Sequence, residues 1–129
     1  MSAPIEALLS PDAGPPGAYY SQAVRAGDRV WTAGAVGTEP STGRVAPGGV
    51  EPQIHRAIQN IRATLAEAGT DLAHVVKTTC FVTRREDFAL LDPIYRQYFP
   101  DPPVHGKLRA AKSCALPRRS PTRRGRGPR

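Results

Sequence analysis

Few residues in this chain of 129 are spaced to do chemistry by themselves. The three histidines, His55, His74 and His105, are scattered, and Cys80 and Cys114 form neither a CxxC nor a paired Cys/His motif. A structural zinc site needs four such ligands converging in tetrahedral geometry, so the pattern argues against a metal. The two cysteines could pair. In a chain whose opening MSAPIEALLSPDAGPPG has no basic n-region and no apolar leader, they are expected to be reduced. Cys80 stands among Val75, Val76, Phe81 and Val82 and reads as a small core residue. Trp31 reads as core and not as a stacking platform.

Charge is the other conspicuous chemistry, and its location matters more than its total. The formal net charge is +7, yet residues 1–106 carry nine Lys or Arg against all eleven acids, a net of −2. The stretch Lys107 to Arg129 carries the other nine basic residues and no acid. A block of like charge is ordinarily solvated, which predicts a basic, disordered tail over residues 104–129 behind one domain over 1–103. Phosphate attraction by such a tail is possible through counterion release alone. No aromatic residue is interleaved with its charges, which argues against nucleic acid as the partner. No apolar run reaches membrane-spanning length, so no membrane partner is expected and a cytoplasmic location is the simplest reading.

The elements that must position any site follow from periodicity. Residues 1–17 are rich in Pro, Gly and Ala and read as an extended N-terminal arm. Tyr20–Val24 and Val30–Val36 are short extended runs around Ala26-Gly27-Asp28, a hairpin signal. Glu39-Pro40-Ser41-Thr42-Gly43 is a second turn cluster. From Val50 the period becomes helical, with Ile54, Ile58, Ile61, Leu65 and Ala68 on one face and Gln53, Arg56, Gln59, Asn60 and Glu67 largely elsewhere. Gly69 fits the C-cap. His74–Thr83 is β-branched and apolar, as a buried strand would be, and a second helix is predicted over about Glu86–Phe99, with Pro93 expected to kink or divide it. After Phe99 the Pro and Arg content argues against a strand, so the sheet is expected to lack its closing strand. The order is ββαβα, the start of a ferredoxin-like α+β layer with two helices on one face.

Four stretches in this order and spacing resemble the RidA (YjgF-type) family. They are Tyr20-Ser21-Gln22-Ala23-Val24, Val30-Trp31-Thr32-Ala33-Gly34, Val75-Val76-Lys77-Thr78-Thr79, and Asp87-Phe88 leading to Tyr95 and Tyr98-Phe99. The first helix and the turn Pro40-Ser41-Thr42-Gly43 also fall where the family has them. Each match is weak alone; together they cover roughly residues 15–103. The resemblance implies a chorismate-mutase-like α+β fold and a homotrimer built around a central barrel, with sites in clefts between subunits. It implies 2-iminobutanoate/2-iminopropanoate deaminase-like chemistry, the hydrolysis of reactive enamines and imines to 2-oxo acids and ammonia without a cofactor. Some relatives are instead described as translation inhibitors or ribonucleases.

A 2-imino acid offers a carboxylate that a guanidinium grips through two parallel hydrogen bonds. Its hydrolysis needs a positioned water and a group to manage the proton. In the family, the grip comes from an Arg after Pro-Pro-Ala and the water is held by a Glu in an acidic last strand. By the same resemblance Tyr20 matches the pocket tyrosine and Gly34 the turn glycine, and Ala35 stands where the family often has Gln. Tyr20 alone, without the resemblance, reads equally as a packing residue at the sheet edge.

Pro-Pro-Ala-Arg-Ser becomes Pro102-Pro103-Val104-His105-Gly106, and no acid follows Asp101. His105 stands at the place of the Arg, but an imidazole, with an ordinary pKa of about 6.5, is mostly neutral at neutral pH and has no fork. It reads as a bystander first and a ligand second. Catalytic residues are therefore unassigned, and impaired activity is expected. A non-catalytic small-molecule binder or regulatory homologue is the alternative, and binding of nucleic acid by the Arg-rich tail is the third reading. Pro103-Val104-His105-Gly106 is encoded CCN-GTN-CAY-GGN; one base on, CNG-TNC-AYG permits Arg-Ser-Thr. The tail accordingly reads as either an out-of-frame translation or a genuine divergence.

Overall fold

The computed structural model describes residues 4–99 and, for its backbone, 105–110. Strands β1 (Ile5–Leu8), β2 (Ala23–Ala26) and β3 (Arg29–Thr32) form an antiparallel sheet in that order. Helix α1 (Val50–Glu67), strand β4 (Lys77–Val82), helix α2 (Phe88–Tyr98) and strand β5 (His105–Ala110) follow. Strands β4 and β5 pair in parallel as a second sheet, and among the described residues no strand joins the two.

The hairpin stands where the turn signal placed it. Ala26 pairs with Arg29, and Gly27 between them takes φ 61°, the left-handed backbone that a two-residue hairpin loop requires. The arm does more than extend. Its residues Ile5–Leu8 add an edge strand to β2, and Glu6 lies 3.6 Å from Arg25 on the neighbouring strand. Arg25 also donates through Nη2 to the Ala68 carbonyl, placing a cation at the C-terminal end of α1, where the helix dipole favours it. That end is closed as predicted. Gly69 at φ 76° donates to Ala66 O and Thr70 N–H to Leu65 O, the paired bonds of a Schellman cap.

Ile58, Leu65, Leu72 and Ile94 are the buried centre of the core, and Val30, Ile54, Ile61, Val75, Tyr95 and Tyr98 pack around them. Through Val30, strand β3 therefore meets the core between the helices. The helices are also clasped by polar contacts: His55 Nδ1 and the Tyr98 hydroxyl are 2.7 Å apart, with Arg62 over the Tyr98 ring at 5.8 Å. Pro93 does not divide α2, which runs unbroken from Phe88 to Tyr98. Asp87 is buried at its start, with Oδ2 3.7 Å from Arg84 Nε.

Three sequence expectations are corrected. The stretch read as a buried strand is β4, and it has two faces: Thr78 and Cys80 are half-buried and Val82 is buried, while Lys77, Thr79 and Phe81 are exposed. Trp31 is 53% exposed and is not core, because alternation along β3 turns Val30 to the helices and Trp31 away from them. A strand does follow α2. The open edge of β4 offers main-chain donors and acceptors to any extended segment, and residues 105–110 contain no proline although their flanks do. Composition averaged over the whole C-terminal stretch hid that window. Residues 111–129 of the segment read as a tail, with Cys114, lie outside the described residues.

Tyr95 points from α2 toward β4. Burial, then the neighbouring Cys80 thiol, push its phenol up to about 12, against a hydrogen bond from Thr78 that lowers it. The folded-state value lies above the 10.0 of a free tyrosine, so this contribution to stability is full below pH 10 and is lost as pH rises through about 12. Denaturation midpoints from pH 9 to 12 should fall more steeply for the parent chain than for Tyr95→Phe; equal slopes would contradict the assignment.

Candidate functional site

Two irregular segments face one another across the start of the hairpin, and neither has a ladder to satisfy its main chain. One is the end of the arm, residues 10–15; the other leaves β3 at Ala33. The hairpin extends one rung beyond its strands, through Ala33 N–H to Gln22 O at 2.9 Å, and then the chain departs as Gly34-Ala35-Val36. Thr38 N–H returns to Val36 O at 2.8 Å in a three-residue turn, and Thr38 bridges Val45. The predicted turn closes this loop, with Gly43 at φ 68° and Glu39 N–H bonded to Arg44 O.

Two buried carboxamides hold these segments. Gln22, 8% exposed, accepts from Ser10 N–H at 2.6 Å and donates to Ser10 O at 3.2 Å and Gly14 O at 3.0 Å. Asn60 on α1, 5% exposed, donates to Val36 O at 3.2 Å and Thr38 O at 2.8 Å and accepts from Arg56 Nε at 3.0 Å. Thr64, one turn further along, is buried and bonds back to Asn60 O. The loop also presses on the first turns of α1 at Gly37, where a Cβ would come within 2.5–2.9 Å of the Gln53 backbone. At Gly14 an added Cβ would meet Thr38 at 3.1 Å and Asn60 Nδ2 at 3.3 Å, so the two walls touch there.

Between them lies a cleft of about 50 Å³, lined among others by Gly14, Tyr20, Gln22, Gly34, Ala35, Thr38 and Asn60. The Tyr20 hydroxyl accepts from Gly17 N–H at 3.2 Å, and its own proton has no acceptor among the described residues. The main-chain N–H groups of Gly34 and Ala35 donate to nothing among the described residues. No Asp, Glu, Lys, Arg or His lines the cleft among those residues. Such an arrangement can hold a carbonyl or carboxylate oxygen. By itself it offers no group that exchanges a proton near neutral pH.

A family model described as Endoribonuclease L-PSP matches residues 11–119. The mouse 2-iminobutanoate/2-iminopropanoate deaminase is 38% identical over 104 residues, covering 78% of this chain and 73% of that protein. The chain belongs to the RidA family. A RutC family protein of Pyrococcus abyssi is 37% identical over 94 residues, 73% of this chain and 74% of the relative. Among solved structures, RidA from an Antarctic Psychrobacter superposes with TM-score 0.77 at 29% identity, covering 88% of this chain and 89% of that one. A structure from Entamoeba histolytica that also carries the endoribonuclease L-PSP description reaches 0.81 at 31% identity, covering 89% and 90%. The α+β architecture of this RidA-family chain is thus shared with its solved relatives.

Of the four residues singled out from the sequence, three come together: Tyr20, Gly34 and Ala35 line the one cleft. His105 is the first residue of β5, in register with Lys77, and its side chain lies outside the described residues. Gln22, Asn60 and Thr64 were missed. Gln22 lay inside a quoted motif without a role, and Asn60 was placed on the polar side of α1. The available signal was Asn60 and Thr64 at i, i+4, beside Ile61 on a helix whose apolar stripe was already assigned. Gly37→Ala should push the loop off α1 and cost about 1–3 kcal/mol by overpacking. Urea denaturation checks this, and a variant as stable as the parent would refute the close approach.

Proposed function

We propose that this chain is a RidA-type enamine and imine deaminase by descent, whose cleft takes a small 2-imino or 2-oxo acid and whose hydrolytic step is impaired. The observation that carries the reading is the convergence of Tyr20, Gly34 and Ala35 on one cleft, where the Gly34 and Ala35 N–H groups have no partner among the described residues. These are the positions that the family resemblance ties to the pocket, and the mouse relative bears a deaminase name. The impairment follows from what stands at the reacting end. His105 replaces the guanidinium, and the chain has no acid after Asp101 to hold and deprotonate water. Losing a bidentate charge-assisted pair forfeits about 1.5–3 kcal/mol of carboxylate binding, roughly ten- to a hundredfold.

The cleft is also small for an imino acid, so its outer wall is assigned to a neighbouring subunit in a homotrimer. Trp31 and Phe81 support this, both about half exposed on the sheet faces turned away from the helices. Aromatic rings are enriched at the cores of subunit interfaces. The location proposed is the cytoplasm. A specific observation favours a second reading, a small-molecule binder without catalysis: no proton-exchanging side chain lines the cleft among the described residues.

The deciding assay generates 2-iminobutanoate in situ with a threonine dehydratase and follows 2-oxobutanoate and ammonia. Acceleration over the uncatalysed rate that is weak in the parent and larger in His105→Arg supports an impaired deaminase. Binding of 2-oxobutanoate without acceleration in either chain supports the binder, and no binding to either sinks both. His105→Arg should tighten 2-oxobutanoate about tenfold, and His105→Lys less, because an ammonium lacks the fork. Sedimentation equilibrium should give a trimer that Trp31→Arg dissociates; a monomeric parent would remove the shared cleft.

A further inference from the structure

Asn60 does more than fill a helix face. A carboxamide has a donor end and an acceptor end, and which end points where decides what it does. Arg56 has donors only, and its Nε lies 3.0 Å from Asn60 Oδ1. Arg56 therefore fixes the oxygen end, and the NH2 is left aimed at Val36 O and Thr38 O. Both carbonyls belong to the loop that lines the cleft. On the facing wall, Gln22 ties down the carbonyls of Ser10 and Gly14 in the same way. Four main-chain acceptors are so withdrawn from the cleft's surroundings. The N–H groups of Gly34 and Ala35 have no partner among the described residues, and the Tyr20 hydroxyl keeps its proton.

We infer that Asn60, oriented by Arg56, is the specificity-determining residue that makes this cleft prefer an anionic ligand over its neutral analogue. The inference rests on the cleft reading above. A carbonyl oxygen turned toward a bound carboxylate repels it, whereas a neutral amide can donate to that same oxygen. Holding the carbonyls of Val36 and Thr38 against Asn60 therefore separates the two ligands by charge, in a cleft with no cationic side chain among its described residues. Asn60 lines the cleft, but its carboxamide is engaged by Arg56, Val36 and Thr38 and not by the ligand in this scheme. It is a positioning residue acting through the loop.

The test titrates 2-oxobutanoate and its neutral amide, 2-oxobutanamide, into the full 15N-labelled chain and reads the Gly34 and Ala35 amide resonances. The parent should prefer the acid. Asn60→Leu should reduce the ratio of acid to amide affinity about tenfold. Arg56→Met, which frees the carboxamide to rotate, should reduce the ratio by about threefold. Arg56 is only half-buried and does not line the cleft, so this variant decides the matter if Asn60→Leu does not fold. Acid and amide weakening in parallel would assign Asn60 a purely structural role, and an unchanged ratio in both variants would overturn the inference. A parent chain whose Gly34 and Ala35 resonances respond to neither probe would overturn the cleft reading itself.

Discussion

A main chain that leaves a sheet and packs beneath a helix must find partners for its carbonyls or bury them unsatisfied. The segment after β3 meets that constraint through one side chain, the carboxamide of Asn60, which takes the carbonyls of Val36 and Thr38. Much of the local geometry depends on this contact. It sets the height of the loop above α1, which Gly37 then permits by lacking a side chain against Gln53. It also brings Thr38 to Gly14, where the arm arrives under the hold of Gln22. Helix α1 accordingly serves two faces at once, an apolar one toward α2 and an amide-bearing one toward the cleft.

The division of labour at the cleft follows from this. Recognition groups that come from the backbone are present and are positioned by buried amides whose own bonds are complete. In the proposed reading, the side-chain groups, a guanidinium and a carboxylate, would come from the C-terminal part of the chain, where His105 stands and no acid follows Asp101. Backbone donors depend only on the fold, while side-chain chemistry depends on the residue at one position. On the proposed function, binding and turnover are therefore separable properties of the same cleft.

Local pattern made much of the fold legible. The hairpin about Gly27, the long helix and its Gly69 cap, and the second helix each rest on residues within a few positions of one another. Features that depend on distant partners were not legible. The arm gives no sign that Ile5–Leu8 will pair with β2, and the exposure of Trp31 and Phe81 depends on which face the helices cover. Strand β5 was misread because backbone pairing asks little of side chains, so an unpromising composition carried little weight. At the cleft, Tyr20, Gly34 and Ala35 were reached through family resemblance. Asn60 was not, since an Asn beside an apolar stripe is ambiguous until the loop it holds has been placed.

The pairing of β4 with β5 bears on how the molecule reaches its final form. The β2–β3 hairpin closes through two residues, and α1 forms from contacts within a turn of each other, so both can appear early. A parallel pair that joins Lys77 to His105 must wait until the whole of α2 lies between them as a crossover. Its loop-closure entropy is met before any of its hydrogen bonds are made. Until that moment β4 is an open edge bearing Thr79 and Phe81, able to pair with another chain's strand as readily as with its own. The interval between the second helix and the last strand is thus the stage at which this edge is open to other chains, and a low chain concentration favours its own closing strand.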